Sequence, residues 1–228
     1  MGQTAKNLTL NSDTDWGEQE AKRFRTLALR YQEIGANYGI KLNPFRSPEM
    51  PLFEKATPEE RKNATDFLES IVATHEETLA ASEAPINTKQ LVWRALRRLS
   101  LIPGSEVFDV IADDDVVLIY NDAQTAVFWN LQFFKFSSLT VEDMFFGVWY
   151  NFTKRDPAIQ QKLYEMAVAV ITGKITGTFE PGIPPHVVEE VDSPESLKTM
   201  MAIPYASVLT KNGKFGGILV VQRMKIIA

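Results

Sequence analysis

The sequence predicts an α+β fold, with an N-terminal helical region leading into an antiparallel sheet. Three observations point there. The apolar period changes near residue 104, from three-four spacing to short runs and alternation. A continuous apolar run, "VVLIY" at 116–120, is followed by turn residues and a second apolar run ending in Trp129-Asn130. Asn212-Gly213 separates two long strand-like segments, and that dipeptide suits a type I′ hairpin because both central positions need positive φ.

The helical part comes first. Residues 15–38 carry Phe24, Leu27, Tyr31, Ile34 and Tyr38 on one stripe. "NPFRSPEMP" breaks the pattern with three prolines. Thr57, Pro58 and Glu60 form a capping-box start for a second helix, whose inner side holds Phe67, Leu68, Ile71, Val72, His75 and Leu79. A third helix is expected over 88–101, with Val92, Ala95, Leu96 and Leu99 inward and "IPG" ending it. Arg94, Arg97 and Arg98 on this helix read as a solvated, salt-bridged face rather than a nucleic-acid surface, since charges balance over residues 1–104.

The second part alternates strands and short helices. "NDAQ" turns the run at 116–120 into a return strand at 125–129. Asn130 follows where its side chain can cap a helix. Thr140 with Asp143 starts a helix, and Asp156-Pro157 starts a longer one. That longer helix buries Ile159, Leu163, Met166, Ala167 and Val170, and Gly173 stops it. Residues 186–191 suggest one more strand, before the closing hairpin at 198–224. Pro204 inside that hairpin predicts an edge or a bulge, because proline cannot donate to a ladder.

Composition narrows the chemistry. The chain has 228 residues, a net charge of −5 and no cysteine. Disulfides, thiolate metal sites and cysteine nucleophiles are therefore excluded, and nucleic acid is not an expected partner. The N-terminus lacks an apolar signal core, and "MGQTAK" only loosely touches a myristoylation pattern, having Lys6 where Ser or Thr belongs. No apolar run is long enough to span a bilayer, so a cytoplasmic protein without membrane association is the expectation.

Strand, turn, strand, short helices, a longer helix and a closing hairpin occur in an order that resembles a PAS domain over roughly residues 105–228. "VVLIYNDAQTAVFWN" is similar to that family's first hairpin, and "SLTVEDMFFG" to its helix ending in Gly. "AVAVITG" is similar to the end of its long helix, and "IPYASVLTKNGKFGGILVVQRM" to its closing hairpin. The family often has an Asp-Ile-Thr-like triplet where this chain has Gln222-Arg223-Met224. The resemblance implies a PAS-like antiparallel five-stranded sheet with helices on one face. Residues 1–104 would then be an α-helical cap or dimerisation region, and 105–228 the sensory domain. It also implies a signalling module that binds a small ligand, a protein partner or a second copy, and acts by non-covalent contact without catalysis. Two other readings stay open: a ligand-free interaction adaptor, and a small enzyme or carrier with the ketosteroid isomerase-like cone. The strand-first hairpin argues against the cone fold, which would also need a buried Asp or His as general base.

The cofactor is unknown. Without cysteine, cysteinyl-flavin and thioester-linked chromophores are impossible. Haem is not expected, because His75 lies on an apolar helix face and His186 at a loop or strand end. Asp113, Asp114 and Asp115 read as a solvated turn, and Glu189 and Glu190 as neighbours pointing to opposite strand faces. No phosphate-binding loop is present, since "GKITG" lacks the P-loop pattern. The aromatic cluster from Phe128 to Phe152 reads first as core. Its alternative is a ring-lined ligand pocket walled by Trp129, Phe133, Phe145 and Trp149, with Asn130 orienting the ligand.

Overall fold

The computed structural model describes residues 6–81, 87–123, 125–147 and 149–227, with side chains described from residue 17 onward except those of 149 and 150. The first five residues of the "MGQTAK" segment lie outside that range. The helical region comprises α1 (Lys6–Asn37), α2 (Pro51–Lys55), α3 (Pro58–Ala81) and α4 (Thr88–Leu99), followed by the single turn α5 (Val107–Val110). Then come β1 (Val116–Asn121), β2 (Ala126–Trp129), a 3-10 turn at Leu131–Lys135, α6 (Val141–Phe146), α7 (Trp149–Phe152) and β3 (Thr153–Lys154). The rest is α8 (Pro157–Ile171), β4 (Thr178–Phe179), β5 (His186–Glu190), β6 (Lys198–Lys211) and β7 (Lys214–Ile226).

Local chemistry sets most element ends as the sequence indicates. The hydroxyl of Thr57 accepts from the Glu60 amide while the Glu60 carboxylate accepts from the Thr57 amide. Thr140 and Asp143 make the same reciprocal pair at α6. Asp156 caps α8 through the Ala158 amide. Asn212 and Gly213 both take positive φ in the β6–β7 turn. Pro204 sits where the β6–β7 register slips between Ala202 and Tyr205, which makes it a bulge inside a strand paired on both sides.

The strands form a curled antiparallel sheet, roughly a half-barrel, in the order β2-β1-β7-β6-β5-β3, with β4 also on β6. That is seven strands where five were expected; β3 and β4 are two residues long and carry no readable alternation. Antiparallel pairing places directly opposed residues on one face. Phe128, Ile119 and Leu219 line one face, and Trp129, Leu118 and Val220 the other.

Helices cover both faces. On the first, α3 brings His75 over the Phe128 ring, and α1 brings the Tyr31 hydroxyl to the Trp129 carbonyl. Arg23 pairs with Asp66 and Glu69, and Arg30 with Glu76 further along, so α1 and α3 run in the same direction. Arg94 and Arg98 of α4 pair with Glu77 of α3, and Arg97 stacks on Trp93 of its own helix, so these arginines are engaged within the helical region. On the second face, α8 packs Ile159, Leu163 and Met166 against Met201, Ile203 and Val220. The main core runs from Phe24 on α1 to Val221 on β7, so the change of pattern at residue 104 does not divide it. Among the described residues, no helix is long and apolar enough to cross a membrane.

Candidate functional site

The second sheet face is only partly filled. Between it, the 3-10 turn and α6 lies a cavity of about 670 Å³, within the range usual for small-molecule sites. Its walls include Leu118, Phe133, Leu139, Phe145, Phe146 and Phe152. A smaller lobe of about 130 Å³ runs under α8, walled by Leu163, Met166, Val170, Ile203, Ile218 and Val220. The two lobes share Tyr120, Arg155 and Gln222.

Pairing of β1 with β7 turns Tyr120 and Gln222 toward the same sheet face. Tyr120 near the end of β1 stands opposite Ile218, and Gln222 on β7 stands opposite Val116, four residues further along on the same pleat. Arg155 is the residue before the Asp156 cap, so the start of α8 brings it to the join. Burial pushes the Tyr120 phenol up to about 12, so it is an O–H donor at neutral pH. Burial lowers Arg155 from the ordinary guanidinium value, and Tyr120 partly opposes that shift. Arg155 Nη2 donates to Thr153 Oγ1 at 3.2 Å. Gln222 is 8 % exposed, and its Oε1 has no hydrogen-bond partner among the described residues.

His186 belongs to the same neighbourhood. It opens β5 opposite Met201, which lines the larger lobe. Its Nδ1 lies 3.0 Å from the Pro184 carbonyl. A carbonyl only accepts, so Nδ1 carries the hydrogen and Nε2 of the neutral ring is an acceptor. That Nε2 is buried and without a partner among the described residues. Burial lowers the His186 pKa, and nearby Arg155 lowers it further.

The expected pocket residues separate. Phe133 and Phe145 line the larger lobe. Trp129 is completely buried behind it, with its ring centroid 4.8 Å from that of Phe145. Trp149 lies in α7, and its side chain is outside the described residues. Asn130 makes no side-chain cap on the 3-10 turn, contrary to expectation. Its Oδ1 accepts from the Val117 amide at 3.0 Å and its Nδ2 donates to the Asp115 carbonyl at 2.9 Å. Its side chain thus extends the β1 ladder past the end of β2.

The aspartate run also differs from expectation. Asp113 and Asp114 are exposed, but Asp115 is buried, accepting from the Ala112 amide and pairing with Arg223 at 3.0 Å. A strand start with one inward carboxylate needed a distant arginine that local reading does not reveal. Glu189 and Glu190 do split across β5. Glu189 pairs with Lys198, while buried Glu190 accepts from both Ser137 and Ser138, including the Ser138 hydroxyl at 2.6 Å. Of the two carboxylates lining the larger lobe, Asp143 is held by Arg46 Nε at 2.5 Å and by Thr140, and Glu60 by its capping pair with Thr57. His75 is fully buried on Tyr31 and Phe128, away from both lobes, as a core histidine. Among the described residues no group of three His, Asp or Glu side chains could hold a metal ion.

Sequence reasoning missed Tyr120, Arg155 and Gln222. Tyr120 read as a strand residue, Arg155 drew no reading, and Gln222 read as a departure from the family's closing triplet. Only the last was a signal, since a polar residue on the inward side of a buried strand calls for a partner. No family model, no curated protein and no solved structure matches this chain.

Proposed function

We propose that the chain is a PAS-like ligand-binding sensory module that signals by non-covalent contact. The observation that carries this reading is the cavity of about 670 Å³ between sheet and helices, walled by Leu118, Phe133, Leu139, Phe145, Phe146 and Phe152 together with polar and charged residues that include Lys55, Glu60, Asp143, Arg155 and Gln222. Further support comes from the antiparallel run β2-β1-β7-β6-β5, whose intervening helices lie over the cavity face, the arrangement the resemblance implies. The other sheet face is covered by α1 and α3, so residues 1–104 act as its cap.

An output route runs through α8. Its inner side, including Leu163 and Met166, walls the smaller lobe, while Tyr164 and Val168 on its outer side are exposed apolar residues. A ligand that wedges under α8 shifts that outer side, and a protein partner or second copy reads the change. The test is the absorption spectrum of purified protein, then mass spectrometry of whatever denaturation releases. A small molecule recovered near one per chain is the expected result. An empty preparation whose melting temperature is raised by none of haem, flavins or small apolar acids refutes the reading.

A further inference from the structure

Gln222 defines what the ligand must carry. We infer that the larger lobe takes a neutral aromatic molecule bearing a hydroxyl or ring N–H that donates to Gln222 Oε1. This rests on the ligand-binding reading above and names the class of ligand.

Gln222 stands on β7, a strand paired on both sides, so its backbone is committed to the sheet. Its side chain lines both lobes. The residue is 8 % exposed, and its Oε1 has no hydrogen-bond partner among the described residues. Buried polar atoms are almost always paired, so an acceptor left open in a cavity wall calls for a donor from whatever fills the cavity.

The donor arrives on an uncharged molecule, because the charges along the larger lobe already have partners or water. Asp143 is buried and held by Arg46 and Thr140. Glu60 is exposed and capped with Thr57, and Lys55 is exposed. Arg155 donates to Thr153 Oγ1. Burial keeps the Tyr120 phenol protonated at neutral pH, so it adds no charge. An ionised ligand would have to displace one of these partners or leave water unpaired, and either costs more than a neutral hydrogen bond returns. Ring shape follows from the wall. Phe133, Phe145, Phe146 and Phe152 gain from a further ring set offset or edge-on against them. Phe145 already sits edge-on to Phe24, and Phe146 to Phe53. A volume of about 670 Å³ leaves room for fused rings.

The test is titration calorimetry of the full chain at neutral pH with 2-naphthol, 2-methoxynaphthalene and 2-naphthoate, repeated with Gln222→Met. Wild type should bind 2-naphthol about 10-fold more tightly than 2-methoxynaphthalene, which keeps the rings but cannot donate, and 2-naphthoate should bind weakest. Gln222→Met keeps the side-chain length and removes the acceptor, so it should bind 2-naphthol and 2-methoxynaphthalene within about 2-fold of each other. Should the variant fail to fold, the wild-type ranking alone decides. Equal binding of 2-naphthol and 2-methoxynaphthalene to wild type, or 2-naphthoate bound as tightly as 2-naphthol, overturns this inference and leaves the cavity reading standing. So does a preference for 2-naphthol that survives Gln222→Met. Absence of binding by all three probes overturns this inference, and with every preparation also free of retained ligand it overturns the cavity reading as well.

Discussion

Replacing Asn130 by alanine should destabilise the fold rather than empty a ligand site. The side chain is 1 % exposed and makes two buried hydrogen bonds to backbone groups on either side of the β1 start. Alanine leaves the Val117 amide and the Asp115 carbonyl buried and unpaired at that point. Each orphaned buried group costs about 1–3 kcal/mol, so the pair totals about 4 kcal/mol. For a chain of this size that corresponds to a fall in melting temperature of about 8–16 °C. Urea unfolding followed by circular dichroism, with a thermal melt beside it, measures both quantities. Asn130→Asp should fare no better, since its second oxygen would face the Asp115 carbonyl without a hydrogen to offer. A melting temperature for Asn130→Ala within about 2 °C of wild type would refute the reasoning, as would lost ligand binding at unchanged stability.

Other perturbations test other parts of the molecule. His75 is buried and its pKa is lowered to about 4, so the unfolded chain takes up a proton that the folded one refuses as pH falls below 6.5. Its stabilisation is complete above that pH and falls by about 1.4 kcal/mol per unit down to pH 4; comparing urea unfolding at pH 7.5 and 5 should show a shallower loss for His75→Phe than for wild type. Gly217 has φ +148 and an added Cβ would lie 2.1 Å from the Tyr120 carbonyl, so Gly217→Ala should break the end of the β1–β7 ladder and cost about 3 kcal/mol or more, read by denaturant unfolding. Buried Glu142 accepts from the Leu52 and Phe53 amides at the start of α2, so Glu142→Ala should speed hydrogen exchange over residues 51–55, and unchanged exchange would sink that role. Trp129→Ala should cost about 3–5 kcal/mol through an unfilled core volume, measured by thermal melting, which makes it a poor probe of ligand contact.

The features legible in the sequence are those whose chemistry closes within a few residues. Thr140 with Asp143, Asp156 with Pro157, and Asn212 with Gly213 each carry their own geometry. Pro204 announced its bulge for the same reason: a missing N–H is a local fact. The candidate site was only half legible. Phe133 and Phe145 stood out by type and crowding, yet type alone could not tell a ring that lines a cavity from Trp129, which lies behind one. Asp115 with Arg223 and Glu190 with Ser137 depend on strands and loops far apart in the chain. Tyr120, Arg155 and Gln222 share a cavity wall only once β1 has paired with β7 and α8 has docked, and no local pattern encodes that register.

The place of β7 in the sheet bears on how the chain is made. It lies between β1 and β6, so the first hairpin has no inner neighbour until residues 214–226 have left the ribosome. By then α1 and α3 have long emerged, with Phe24, Tyr31, Leu68 and Ile71 waiting for a surface to cover. Vectorial synthesis therefore exposes a large greasy intermediate until that strand emerges. Folding is gated by the arrival of one late strand, and a ribosome stalled before residue 214 would hold a chain that chaperones must shield.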